Sequence, residues 1–238
     1  MRSVSKGGGH YALADRWVTH QAELAGGTAS NNAWNNFRNT DGTKAACLAE
    51  QFSLCAYSEL VLGATDLGMH LDHVKPKSKF RNDTFSHSNL LMSSIDDIGA
   101  RGLTAQDVFG GHARGNRHHP AWFIHPLKHD SRRFFHYASD GRIEPRRGLS
   151  TRDRRRTGYT IGIMNLNAPV LVNRRRRWIE EIEDEIDKLL GDVAALEYFA
   201  MAELCPAGDQ LRPFHSAVRS RFGALGETVL ARHCAECL

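Results

Sequence analysis

The stretch His70-Leu71-Asp72-His73-Val74-Lys75-Pro76-Lys77-Ser78-Lys79 decides the reading of this chain. It sets a carboxylate beside an imidazole and follows them with alternating bases. A hard divalent cation needs an oxygen ligand of the kind Asp72 offers, and a nucleophilic water needs an acceptor of near-neutral pKa such as His73. Lys75, Lys77 and Lys79 alternate, so on an extended segment they line one face and can hold phosphates, although Pro76 limits how regular that strand can be. His70 reads as structural, turned to the other face of the strand. Asn89 follows in His87-Ser88-Asn89-Leu90-Leu91, and His112 in Gly110-Gly111-His112-Ala113-Arg114-Gly115-Asn116. A short hairpin is expected to carry Asp72-His73, and a helical or loop segment to bring His112 back. The glycines around His112 are poor helix formers, and His118 and His119 stand close behind as alternative imidazoles.

The order Asp-His, then Asn, then His resembles the HNH nuclease motif, and the likeness covers residues 45 to 177. Leu48-Ala49-Glu50-Gln51-Phe52-Ser53-Leu54-Cys55-Ala56-Tyr57-Ser58-Glu59 resembles the segment that precedes the Asp-His pair in HNH nucleases of Septu and retron anti-phage systems, the PtuB-like family. Phe123-Ile124-His125-Pro126-Leu127 and Thr160-Ile161-Gly162-Ile163-Met164-Asn165-Leu166-Asn167 resemble its later landmarks. The resemblance implies a general base at His73 and a single Mg²⁺ or Mn²⁺ held by Asp72 and His112. It gives Asn89 the task of orienting His73 or fixing its loop, and Arg114 that of clamping the scissile phosphate. It also implies an ATPase (PtuA-like) partner subunit in a hetero-oligomer, open to a retron reverse transcriptase and its RNA–DNA, and defence against phage by cleavage of nucleic acid. Many relatives carry a Cys-x-x-Cys where this chain reads Cys55-Ala56-Tyr57-Ser58, so a structural zinc is not expected there. The rival reading is a non-catalytic nucleic-acid-binding or adaptor subunit of the same kind of complex. The intact Asp72-His73, Asn89 and His112 argue against it, because pure binding does not require that set.

The formal charge of the 238 residues is only +4, but it is unevenly spread. Ten arginines and one acid, Asp153, lie between Arg146 and Arg177. Arg152, Arg154, Arg155 and Arg156, and then Arg174, Arg175, Arg176 and Arg177, are the candidate phosphate contacts. Phosphate attraction does not identify the sugar, so DNA and structured RNA such as tRNA are both candidate substrates. The five cysteines form no regular framework, which favours free thiols in a cytoplasmic protein. Cys234 and Cys237, with His233, Cys205 and His215, fall short of a persuasive four-ligand zinc site. No run approaches the roughly 18 apolar residues of a membrane span, and the polar, Gly-rich segment from Met1 to Tyr11 does not read as an export signal.

The expected architecture is α+β: mainly helical, with a ββα-metal (HNH) nuclease core and an additional β-hairpin. Residues 1–59 read as an N-terminal helical segment with Trp17 and Trp34 as core anchors, and residues 60–120 as the nuclease core. Residues 121–177 read as a hairpin turning at Asp140-Gly141 plus the Arg-rich extension, and 178–238 as a C-terminal helical segment. Ile179, Ile182, Ile186, Leu189, Leu190 and Val193 recur at helical spacing, predicting a helix from Arg177 to Val193 whose aliphatic face meets a core or a partner.

Overall fold

The computed structural model describes residues 1–64 and 66–238. Two helices open the chain, α1 (Tyr11–Ala25) and α2 (Thr40–Glu50). An antiparallel pair follows, β1 (Met69–His73) with β2 (Leu90–Ser94), in a register that sets Asp72 opposite Leu91 and His73 opposite Leu90. All of β2 is buried, so Leu90, Leu91 and Met92 feed the core from both faces of the ribbon. Two short helices come next, α3 (Asp97–Arg101) and α4 (Gly110–Arg114). Asp96 caps α3, accepting from the amides of Ile98 and Gly99 at 2.9 and 2.8 Å and so satisfying two otherwise unpaired donors.

A second antiparallel pair, β3 (Phe135–Tyr137) with β4 (Ile143–Pro145), turns at Asp140-Gly141 as its sequence predicts. Gly141 has φ +86°, and a Cβ there would lie 2.2 Å from the Val172 carbonyl oxygen, so only glycine lets the hairpin tip approach the next helices this closely. Four helices complete the chain: α5 (Thr151–Ile163), α6 (Pro169–Lys188), α7 (Val193–Leu204) and α8 (His215–His233). The Ser150 hydroxyl accepts from the Asp153 amide to start α5, and Pro169 occupies the first turn of α6, where its missing N–H has no partner to lose.

The fold is thus α+β, with two separate two-stranded sheets among the helices. The main core draws on the N-terminal segment (Met1, Val4), on both ribbons and on α5 and α6. A second core lies among α6, α7 and α8, where Ile182, Ala200, Leu204, Val218 and Leu230 pack. The predicted 177–193 helix is therefore displaced: α6 begins at Pro169 and ends at Lys188, because Pro169 sets its first turn and the chain turns through Leu190 and Gly191 before α7. Its aliphatic face is spent inside the chain, with Ile179 and Ile182 buried and Leu190 and Val193 left outside. Trp17 is not an anchor, being 42 % exposed on α1, whereas Trp34 packs against the main core.

Two of the thiols expected to be free are bonded to each other. Cys205 at the end of α7 and Cys234 just after α8 form a disulfide, with their Cα atoms 5.8 Å apart. The packing of α7 against α8 brings together residues far apart in sequence, which spacing alone could not reveal. Cys47, Cys55 and Cys237 are free and buried. Among the described residues no helix is long and apolar enough to cross a membrane.

Candidate functional site

The β1–β2 ribbon gathers the predicted residues at its connecting end. His73 is buried, and its Nε2 lies 2.9 Å from the Thr84 carbonyl oxygen. A carbonyl can only accept, so Nε2 carries the proton and Nδ1 keeps the lone pair. The edge of Trp34 holds the ring from the side, with centroids 4.5 Å apart. Burial pushes the His73 pKa down to about 4, the Thr84 carbonyl opposing, so the ring is neutral at pH 7 and able to accept a proton.

Asn89 does not touch the His73 ring. Its Oδ1 accepts from the Lys75 amide at 2.7 Å, and its Nδ2 donates to the carbonyls of Lys75 and Asp83 at 3.0 Å each. The side chain thus closes the loop that leaves β1, and of the two tasks foreseen for it the loop is the one it performs. That loop is a turn at Pro76–Lys79, not an extended run, so the three lysines do not share one face. Lys75 pairs with Asp83 at 3.0 Å, while Lys77 and Lys79 are exposed.

Asp72 is buried and heavily used. Tyr57 donates to Oδ2 at 2.5 Å, and Arg114 Nη2 reaches Oδ1 and Oδ2 at 2.9 and 3.1 Å and also the His73 carbonyl at 2.8 Å. Arg114 is 2 % exposed, so its role is to fix Asp72 from within rather than to clamp a phosphate from solvent. The reason lies in Gly111: a Cβ there would stand 2.8 Å from the Asp72 carboxyl carbon, so α4 lies directly on the carboxylate and turns Arg114 inward.

His112 sits beside this group. Its Nε2 lies 3.1 Å from Asp97 Oδ1, which draws the proton to that nitrogen, and its Nδ1 is buried with no partner among the described residues. His70, expected on the opposite face from Asp72, shares Asp72's face, because residues two apart on a strand point the same way. Its Nδ1 bonds the Ile95 carbonyl, and its ring meets that of His112 edge-on at 4.8 Å. Alternation, read correctly, is the signal that would have found it.

Asp72 and His112 offer donors of the kind that would hold a hard divalent ion, which would have to share the Asp72 oxygens with Arg114 and Tyr57. A carboxylate has about four acceptor directions, of which Tyr57 and Arg114 take three, and the His112 Nδ1 lone pair is an orphan oriented through a carboxylate in the manner of metal-binding histidines. The other imidazole weighed for this role, His118, packs on Phe80 and Phe123 with its own Nδ1 buried and unpaired, and His119 is exposed.

A second group escaped the sequence reading. Cys47, Glu50 and His87 bring one ligand atom each to within 4.8 Å of one another and so could hold a metal ion. Cys47 and Glu50 are one turn apart on α2, the only local signal, and the fold supplies His87. Lys6 already sets its ammonium among them, 3.2 Å from Cys47 Sγ and 2.8 Å from Glu50, so an ion would have to displace it. Burial raises the Glu50 pKa, but hydrogen bonds from His87, Lys6 and the Gly7 amide outweigh it and hold the group at about 2.

The arginine runs divide by helix face. Arg152, Arg154 and Arg155 are exposed on α5, and Arg156 is half-buried. On α6, Arg174, Arg176 and Arg177 are exposed, but Arg175 is wholly buried, donating to the carbonyls of Gly141 at 2.6 Å and Leu166 at 3.2 Å. It is a structural residue and not a nucleic-acid contact. No protein-family model matches the chain, and no curated protein matches it.

Proposed function

We propose that this chain is a metal-dependent HNH-type endonuclease that hydrolyses phosphodiester bonds in DNA or structured RNA, acting with an ATPase partner as the effector of an anti-phage system. The observation that carries the reading is the His73 ring: buried, neutral, and held by the Thr84 carbonyl in the tautomer that leaves Nδ1 free, directly after a fixed carboxylate. A structural or binding role does not call for that tautomer beside that carboxylate.

In this reading His73 Nδ1 takes the proton of the attacking water. Tyr57 and Arg114 hold Asp72 in place, and Asn89 closes the loop that sets the backbone of Lys75. Asp97 orients His112 so that its Nδ1 lone pair faces inward. One Mg²⁺ or Mn²⁺ held by Asp72 and His112 would supply the charge that offsets the developing negative charge on the phosphate and the leaving oxygen. The exposed Lys77, Lys79, Arg152, Arg154, Arg155, Arg174, Arg176 and Arg177 attract the strand electrostatically.

Purified protein, alone and with the ATPase, should be offered matched DNA and RNA pools with Mg²⁺ or Mn²⁺. Metal-dependent internal cuts in one pool are the expected result. Binding without cutting under every condition would favour the non-catalytic subunit.

A further inference from the structure

Beside the β1–β2 ribbon lies an open cleft of about 450 Å³, in whose lining the mechanism above uses only Asn89 and the Lys75 backbone. Lys75 and Asn89 border it from the motif loop, His125 and Lys128 from the segment before β3, and Arg156 from α5. Lys128 and Arg156 converge on one ring, their charged ends 4.8 and 5.5 Å from the Phe134 centroid. Each is paired with a carboxylate, Asp130 at 3.2 Å and Asp153 at 3.3 Å, and neither acid borders the cleft. The lining therefore holds three cations against the single carboxylate of Asp83.

The neutral groups are oriented the same way. His125 Nδ1 accepts from the Leu127 amide at 3.1 Å, which places the ring proton on Nε2, and no side chain or carbonyl receives it among the described residues. Burial pushes the His125 pKa down to about 4, so at pH 7 this is a neutral N–H donor and not a further charge. Cations and a neutral N–H donor bordering one space match an oxyanion with several acceptor oxygens and nothing to donate.

We propose that this cleft is a phosphate subsite, in which Lys128, Arg156 and the His125 Nε2–H hold a phosphate of the strand next to the one that is cut. It rests on the endonuclease reading for the identity of the strand, though not for the binding of phosphate. The group can be an internal phosphodiester or a terminal phosphate monoester, since both present the same oxygens.

The full chain and its Lys128→Gln and Arg156→Gln variants should be titrated with inorganic phosphate while the His125 ring resonances are followed by ¹H–¹⁵N NMR. Oligonucleotide affinity is then measured against salt, with and without a 5′ phosphate. A saturable shift of the His125 Nε2–H in the full chain, lost in Arg156→Gln, is expected, together with a salt slope shallower by about 0.7 per lost contact on a single strand. A 5′-phosphate preference of tenfold or more, removed by either substitution, assigns a terminal phosphate; equal affinities with the same slope change assign an internal one. No His125 shift and an unchanged slope in both variants would overturn the proposal. Should Arg156→Gln lose its cooperative melt, Lys128→Gln, whose side chain is 37 % exposed, decides alone. Cleavage retained without the His125 shift removes only the subsite, whereas the shift without any cleavage keeps the subsite and removes the nuclease.

Discussion

Arg114, Arg175 and Asn89 show how differently similar polar residues are used. Arg175 serves two carbonyls inside the fold, so Arg175→Ala should cost roughly 2–4 kcal/mol in a denaturant melt by leaving them unpaired, while Arg174→Gln on the open face should stay within about 0.5 kcal/mol. An equal effect of the two would mean that Arg175 is not buried as described. For the metal, Asp72→Asn removes the anionic oxygen and His112→Ala the orphan lone pair, and each should weaken Mn²⁺ binding by at least tenfold in calorimetric titration. Unchanged affinity in His112→Ala would pass the ligand role to His70, whose ring lies against it. The Asp-His pair, Asn89 and His112 were all legible as types in a spacing. What could not be read was direction: Arg114 turns inward only because Gly111 lets α4 lie on Asp72, a contact between residues distant in sequence.

At the scale of elements, sequence signals held where they were local. Asp140-Gly141 predicted its hairpin, and the Ile179–Ile182 spacing predicted an amphipathic helix. Where a partner element decides they left core and partner both open, and the apolar face of α6 closes on α7 and α8 around Ile182. Ile182→Glu should therefore abolish the cooperative melt, through a buried charge without a partner, rather than selectively block association with an ATPase. A folded variant that no longer co-purifies with the ATPase would reverse this assignment. Gly141→Ala should likewise destabilise the hairpin, by about 1 kcal/mol or more for the positive φ and more again for the contact with the Val172 carbonyl.

Across the whole molecule, buried neutral histidines tie stability to pH. His215 lies under α7 with its Nε2 on the Leu204 carbonyl, and burial pushes its pKa from 6.5 to about 4. Between those values the unfolded chain binds a proton that the folded chain refuses, so stability falls as pH drops from 6.5 toward 4. Denaturation midpoints at pH 7 and pH 5 should show that loss, and His215→Gln should reduce it, His73 and His125 supplying the remainder. The disulfide that joins α7 to the end of α8 and the second core around it lie in the C-terminal part of the chain, whereas the candidate site belongs to the ribbon and its neighbours. The central claim rests on His73, and single-turnover cleavage of the preferred nucleic acid by the full chain and by His73→Ala at saturating Mn²⁺ tests it most directly. A rate lower by about 10² to 10⁴ in a variant that still folds and binds metal is the predicted result, and near-native turnover would contradict it.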